Sequence, residues 1–175
     1  MRTWKKNLSW ASLFDRQVKM AIGPHLISKA ALEEDVTRAT DFVLSTDRVR
    51  IACRMRRWSK VTFERFGDQF TVRSHLASGA KTELAKILDG WGDMMFYGWG
   101  DPETLRLREW HLLDLNVFRE WFFYSKQNSI PISAGQVRNN DGSTGEAFFI
   151  PDLPEGGVIG CGVGLQLRET SLLNA

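Results

Sequence analysis

The hydrophobic pattern is clearest in the stretch DRVRIACRMRR, residues 47–57, where apolar and polar side chains alternate as they do in a β-strand. One side of this strand is apolar and predicts a core-facing surface: Val49, Ile51, Cys53 and Met55. The other side, which should face solvent, holds four arginines and an alanine: Arg48, Arg50, Ala52, Arg54 and Arg56. A row of like charges on one strand is unfavourable unless acidic side chains or an anionic ligand lie against it. The strand therefore predicts either local ion pairs or a phosphate-facing surface.

The same kind of pattern predicts the remaining elements. Apolar residues at helical spacing indicate helices over residues 13–22 and 79–89, the first ended by Gly23. A third and longer helix is predicted over residues 101–126, capped by Asp101, with Leu113, Val117 and Trp121 on its buried face. Short apolar or alternating runs predict further strands at residues 41–45, 69–75, 94–100, 146–151 and 156–165. This order predicts an α/β (α+β) fold with a central mixed sheet flanked by helices, in which residues 41–45 form a hairpin with the arginine strand.

Length and composition narrow the class of protein. The chain has 175 residues, 43% of them hydrophobic and 25% charged, which predicts a single domain over residues 1–175. The net charge is only +2, so affinity for nucleic acid would have to come from how the charge is distributed. Cys53 and Cys161 have no metal-ligand neighbours at the usual spacing, which argues against structural zinc and a disulfide framework. Because no apolar window approaches the length of a bilayer span, we expect a cytoplasmic protein with no membrane partner.

The arginine side of residues 47–57 is the predicted nucleic-acid surface. DNA or RNA presents a row of phosphates that such a surface would match, and the strand at residues 69–75 would extend it. The predicted nucleic-acid-binding residues are Arg50, Arg54, Arg56, Arg57 and Arg73. Trp58 follows this strand and is the tryptophan best placed to stack on a base, the alternative being that it covers the edge of the sheet.

The element order, with the motifs ATDFVL and VRIACR, resembles the core of the PD-(D/E)XK nuclease superfamily, which includes Holliday-junction resolvases and many phage and restriction endonucleases. The resemblance covers roughly residues 10–100, and it implies a restriction-endonuclease-like core over about residues 10–124 with a carboxy-terminal β extension over about residues 136–168. It also implies Mg²⁺, with Asp41 as the metal-binding aspartate. The sequence departs from the family pattern at two positions, because Ala52 lies where an acidic ligand belongs and Arg54 where a lysine belongs. Alanine cannot hold a metal, and arginine binds phosphate but is a poor proton acceptor.

Two hypotheses follow. In the first, the chain is a Mg²⁺-dependent endonuclease whose missing acid has migrated, and its residues are the catalytic group Asp41, Glu83, Arg54 and Lys81 and the metal ligands Asp41, Glu83 and Glu34. In the second, the site is silent and holds no metal, and the chain is a phage-encoded binding or inhibitor protein that acts on a host nuclease or defence complex in the host cytoplasm. A homodimer is compatible with both hypotheses.

Other catalytic motifs find little support. The run GAKT lacks the two glycines of a phosphate-binding loop, whose positions are taken by Ala80 and His75. The three histidines are scattered, with no spacing typical of a metal site or a nucleophilic triad.

Overall fold

The computed structural model describes residues 9–23, 27–31, 33, 40–44, 49–139 and 141–168. Its helices are α1 (Asp15–Ile22), α2 (Lys60–Phe66), α3 (Glu83–Leu88) and α4 (Leu115–Gln127), and a helical turn at residues 9–12 precedes α1. Its strands are β1 (Ile27–Lys29), β2 (Phe42–Leu44), β3 (Arg50–Arg57), β4 (Gln69–His75), β5 (Met94–Gly100), β6 (Leu107–Asp114), β7 (Ser133–Arg138), β8 (Thr144–Phe149), β9 (Val158–Val163) and β10 (Gln166–Arg168). The predicted mixed α/β class is confirmed. The predicted residues Glu34 and Arg48 lie outside the described residues.

The strands form two sheets. The first has the order β1-β2-β3-β5-β6-β9-β10, and the second has the order β4-β8-β7. In the first sheet β3 and β5 are parallel, whereas all other pairs are antiparallel, so the sheet is mixed as predicted. The predicted pairing of β2 with β3 is also confirmed, since Phe42 lies opposite Ile51.

Both faces of the first sheet are covered. On one face, Phe14 and Val18 from α1 and its preceding turn pack against Ile51, Met55 and Phe96. On the other face, side chains of the first sheet, the second sheet and the helices α3 and α4 form a larger core: Ala52, Tyr97, Trp99, Phe70, Phe148, Ile87 and Phe118. The alternation predicted for β3 is therefore confirmed. The expectation that its arginine side faces solvent is wrong, because the second sheet and α3 cover that side.

The predicted helix over residues 101–126 is also corrected. Residues 107–114 form strand β6, and the helix begins only at Leu115. The Asp114 carboxylate caps α4 by accepting from the amides of Asn116 at 2.7 Å and Val117 at 3.2 Å. Leu113 is buried in the sheet rather than on a helix.

The carboxy-terminal strands take part in both sheets. β8 pairs with β4 in the second sheet, and β9 pairs with β6 in the first. Among the described residues, none of the helices has the length and apolarity needed to cross a bilayer.

Candidate functional site

Glu83 lies where α3 meets strands of the two sheets. Thr82 caps α3 by accepting a hydrogen bond from the Ala85 amide at 3.2 Å, which holds Glu83 in the first helical turn. Leu84 and Ile87 bury the apolar side of the same helix. The carboxylate of Glu83 is thereby directed at β3 and β4, with which its hydrogen bonds are made.

Residues of both sheets donate to that carboxylate. Arg54 Nη1 on β3 donates to Glu83 Oε2 at 2.5 Å, and the backbone amide of Arg73 on β4 donates to the same oxygen at 3.0 Å. The side chains of Arg54 and Glu83 are each 21% exposed, so solvent screens this ion pair only in part. The Arg73 guanidinium comes no closer than 4.0 Å to Asp141, and its Nε is buried without a hydrogen-bond acceptor in the described part of the chain.

Arg56 lies two residues beyond Arg54 on the same face of β3. Its Nη1 donates to Thr71 Oγ1 at 2.9 Å, and the Thr71 hydroxyl lies 3.3 Å from the Tyr97 hydroxyl. Its guanidinium carbon is 5.7 Å from the centroid of the Trp99 ring, a cation–π contact. Thr71 and Arg73 share one face of β4, so the guanidinium of Arg73 is on the side of the strand that meets Arg56. We refer to Arg54, Arg56, Arg73 and Glu83 as the arginine cluster.

The arginine cluster carries surplus positive charge. Three guanidinium groups are balanced by the carboxylates of Glu83 and, at the longer distance, Asp141. Each guanidinium has five N–H donors, and the hydrogen bonds to Glu83 and Thr71 use only a fraction of them. Oriented donors of this kind in a partly buried setting suit an anion with several oxygens, such as a phosphate.

Arg50 is committed to a separate structural contact. Its Nε and Nη2 donate to Asp93 at 3.1 Å, its backbone amide donates to Asp93 at 2.7 Å, and Nη2 also reaches the carbonyl of Gly90. Burial raises the pKa of Asp93, but the hydrogen bonds from Arg50 outweigh it and leave that pKa below its ordinary value. This pair joins the start of β3 to the start of β5.

Asp41 and Lys81, the other predicted site residues, contact different partners. Asp41 Oδ2 accepts from the amide of Cys53 at 2.6 Å. The Asp41 carboxylate, just before the first residue of β2, therefore bonds to the backbone of β3. Lys81 forms an ion pair with Asp89 and lies over the Trp91 ring at 4.9 Å from the centroid. Hydrogen bonds join Arg54 and the Arg73 backbone to Glu83, with Arg56 beside Arg54 on β3 and bonded to Thr71, whereas Asp41 and Lys81 have other partners.

This arrangement does not fit a Mg²⁺ ion at Glu83. Glu83 Oε2 already accepts from Arg54 and from the Arg73 amide, and the Arg54 guanidinium beside it would repel a divalent cation. Within the described ranges, no group of three or more histidine, cysteine, aspartate or glutamate side chains is arranged to hold a metal ion.

A second group of cations lies at the exposed end of β3, where sequence reasoning had singled out Arg57 and Trp58. The Arg57 guanidinium lies 4.1 Å from the centroid of the Trp10 ring, and that of Arg108 lies 4.9 Å from the centroid of the Trp58 ring. Asp101 Oδ2 accepts from Arg108 Nη2 at 2.6 Å and from Nε at 3.1 Å. Sequence reasoning missed Arg108 because it placed this residue on a helix, whereas β6 brings it beside Trp58.

Asp101 is expected to make the stability of the protein depend on pH in the acidic range. The hydrogen bond from Arg108, with others from the amides of Glu103 and Thr104, lowers the pKa of Asp101 to about 2. Because the folded state lowers this pKa, the contribution of Asp101 to stability is complete above the unfolded pKa and is lost as the pH falls from about 4 towards 2. We expect Asp101→Asn to be less stable than wild type at neutral pH and the difference to shrink over that interval, as measured by thermal unfolding.

The matched control is Asp152→Asn, which makes the same chemical change on an exposed turn. Its unfolding curve should follow that of wild type at each pH. If Asp101→Asn and wild type lost stability in parallel between about pH 4 and pH 2, the carboxylate of Asp101 would not be the group that responds.

Comparison with known proteins gives no assignment. No protein-family model matches the sequence, and no curated protein shows significant similarity to it. Inference about function accordingly rests on the geometry of the two cationic groups.

Proposed function

We propose that this protein binds nucleic acid through its phosphate backbone, with the arginine cluster as the principal contact. The observation that carries the proposal is the surplus of partly exposed guanidinium groups on β3 and β4 beside Glu83, with Arg54 21% and Arg73 26% exposed. A phosphate would accept hydrogen bonds from the unused guanidinium N–H groups and offset the surplus charge. Of the residues predicted to bind nucleic acid, Arg54, Arg56, Arg57 and Arg73 remain in this proposal, and Arg50 leaves it because Asp93 and Gly90 engage its guanidinium.

The restriction-endonuclease-like core is part of the same proposal. It is supported by the parallel pair β3–β5, by the crossover containing α2, β4 and α3, and by the charged residues on the face of β3 beneath that crossover. Because the donor set at Glu83 suits an anion better than a metal, we favour the binding form of this core over the Mg²⁺-dependent endonuclease. Cleavage of nucleic acid in the presence of Mg²⁺ is the outcome that would favour the nuclease instead.

The test removes two cluster arginines that do not pair directly with Glu83 through their side chains. In Arg56→Gln/Arg73→Gln, binding to a fluorescent oligonucleotide should weaken about tenfold at low salt, because two phosphate contacts are lost. The slope of log affinity against log salt should fall by about one to two, since each contact contributes somewhat less than one unit. Fluorescence anisotropy from about 50 to 300 mM KCl measures both quantities.

Arg16→Gln is a control for the loss of an arginine elsewhere, because it removes one positive charge from the exposed side of α1, which packs on the opposite face of the first sheet. It should bind like wild type, and circular dichroism should show both variants folded. A double variant that binds as tightly as wild type at every salt concentration would contradict the proposal.

A second candidate function is protein binding, as in the inhibitor hypothesis. It is favoured by three large apolar side chains near the end of α4, where Phe123 is 46%, Tyr124 61% and Ile130 45% exposed. Exposed apolar groups close together in the chain are typical of protein contacts. Failure of the wild-type protein to bind any nucleic acid in the anisotropy experiment would favour this function, whether the partner is another protein or a second copy of the chain.

A further inference from the structure

Trp58 and Arg108 form a cation–π pair just beyond the end of β3. Trp58 follows β3 directly and is fixed by its backbone amide, which donates to the carbonyl of Gly100 at 2.8 Å. The Arg108 guanidinium lies over the Trp58 ring, and its side chain is 47% exposed. Because Asp101 holds Arg108 through two hydrogen bonds, the guanidinium is oriented before any ligand arrives.

Further exposed cations surround this pair. Lys60 follows Trp58 closely in the chain with a side chain that is 79% exposed, and the exposed Arg106 lies just before β6, whereas the Arg57 guanidinium lies over Trp10 on the opposite face of the first sheet. Lys60 is only loosely paired with Glu64, at 3.9 Å. Exposed ion pairs of that length contribute little, so Lys60 is available to a ligand.

We propose that Trp58 and Arg108 form a platform on which an unpaired nucleobase stacks, so that the preferred ligand is a single-stranded nucleic acid. This inference rests on the proposed function. Guanidinium and indole planes both stack on bases, whereas the bases of a duplex are already stacked on their neighbours and are not free to do so. Arg54 and Trp58 lie four residues apart on one face, or about 13 Å at the rise of a strand. A strand whose phosphates contact the arginine cluster can therefore place a nearby base on the platform.

The test compares three ligands of equal length, about 12 nucleotides, which is within the site sizes of single-strand binding proteins. They are oligodeoxythymidine, the same backbone with abasic sites in place of the bases, and a duplex. Trp58→Ala should weaken binding of oligodeoxythymidine about tenfold and leave binding of the abasic strand and of the duplex unchanged. Trp58→Phe should restore most of the loss, because phenylalanine keeps a stacking face.

A second variant keeps the proposal testable if Trp58→Ala fails to fold. Arg108→Lys retains the charge and the tryptophan but loses the planar group, and it should bind the thymidine and abasic strands with nearly equal affinity. A purely structural role of Trp58 would instead lower the melting temperature and weaken binding of all three ligands alike.

The outcomes separate this inference from the proposed function. If the wild-type protein binds none of the three ligands, the proposed function fails and the platform fails with it. If the wild type binds all three in a salt-dependent manner but neither variant changes the ratio of thymidine to abasic affinity, the platform is overturned and the proposed function stands.

Discussion

Replacing Glu83 by glutamine is expected to lower the free energy of unfolding by about 2 to 3 kcal/mol, which is below the range for fully buried ion pairs because Glu83 retains some contact with solvent. Glutamine preserves the shape of the side chain and can still accept from the Arg73 amide. It removes the charge that balances Arg54, so the cluster guanidinium groups repel one another. Chemical denaturation followed by circular dichroism measures the loss.

The same substitution should change binding in the opposite direction. With its carboxylate gone, the arginine cluster should hold a phosphate backbone more tightly than wild type does. The nuclease hypothesis makes a different prediction, since Glu83→Gln would then abolish Mg²⁺-dependent cleavage by removing a metal ligand. A binding assay and a cleavage assay on one variant thus distinguish the two functions.

Glu64→Gln is the control for this charge change. Glu64 lies on α2 with a side chain that is 64% exposed, and its pairing with Lys60 is long. Its loss should cost less than about 0.5 kcal/mol. If Glu83→Gln unfolded at the same denaturant concentration as Glu64→Gln, the ion pair with Arg54 would contribute nothing to the junction of the two sheets.

The second large effect is expected at Gly100, the last residue of β5. A Cβ atom at this position would lie 2.2 Å from Phe14 Cζ, and the Phe14 ring is fully buried between α1 and the first sheet. Because the ring has little room to move, Gly100→Ala should destabilise the protein by about 3 kcal/mol, at the upper end of overpacking costs. Thermal and chemical unfolding both report the change.

Gly160→Ala provides a matched control in the same sheet. The nearest atom to its added Cβ is Trp110 Cζ3 at 3.8 Å, an ordinary van der Waals distance. This variant should cost less than about 1 kcal/mol. Combining Gly100→Ala with Phe14→Leu should destabilise by less than the sum of the two single changes, because the smaller side chain makes room for the methyl group. Strict additivity would show that the clash with Phe14 is not the cause.

The alternation of β3 was predictable from sequence, but the surroundings of its arginines were not. Period-two spacing assigns Ile51 and Arg54 to opposite faces whatever lies above them. The sequence left open whether these arginines form local ion pairs or face phosphate, and the structure shows ion pairs for Arg50 and Arg54, because long side chains can bury their stems and still pair their charged ends within the protein. The partner of Arg54 is Glu83, on a helix of the crossover that follows β3; these two residues belong to the catalytic group predicted from sequence, and the structure joins them as an ion pair.

The strand β6 was misassigned because its burial mimics a helix. Leu107, Trp110 and Leu113 are buried at intervals of three residues, which is also the spacing of a helical stripe. In a strand covered on both faces, side chains pointing to either face can be buried, so buried and exposed residues do not alternate. An aspartate does cap the helix, as predicted, but it is Asp114 rather than Asp101. Asp101 instead closes a turn, where its carboxylate accepts from the amides of Glu103 and Thr104.

The path of the chain between the two sheets has a consequence for how the protein folds. β4 lies in the crossover from β3 to β5 but belongs to the second sheet, where its neighbour β8 comes from beyond α4. The first sheet is then extended by β9, which follows β8 in the chain and pairs with β6. Neither sheet can be completed before segments distant in sequence have met, and such topologies fold slowly, on the scale of about milliseconds to seconds. The amides of β4 that pair with β8, and those of β5, should therefore exchange their hydrogens with solvent only through one shared, global opening.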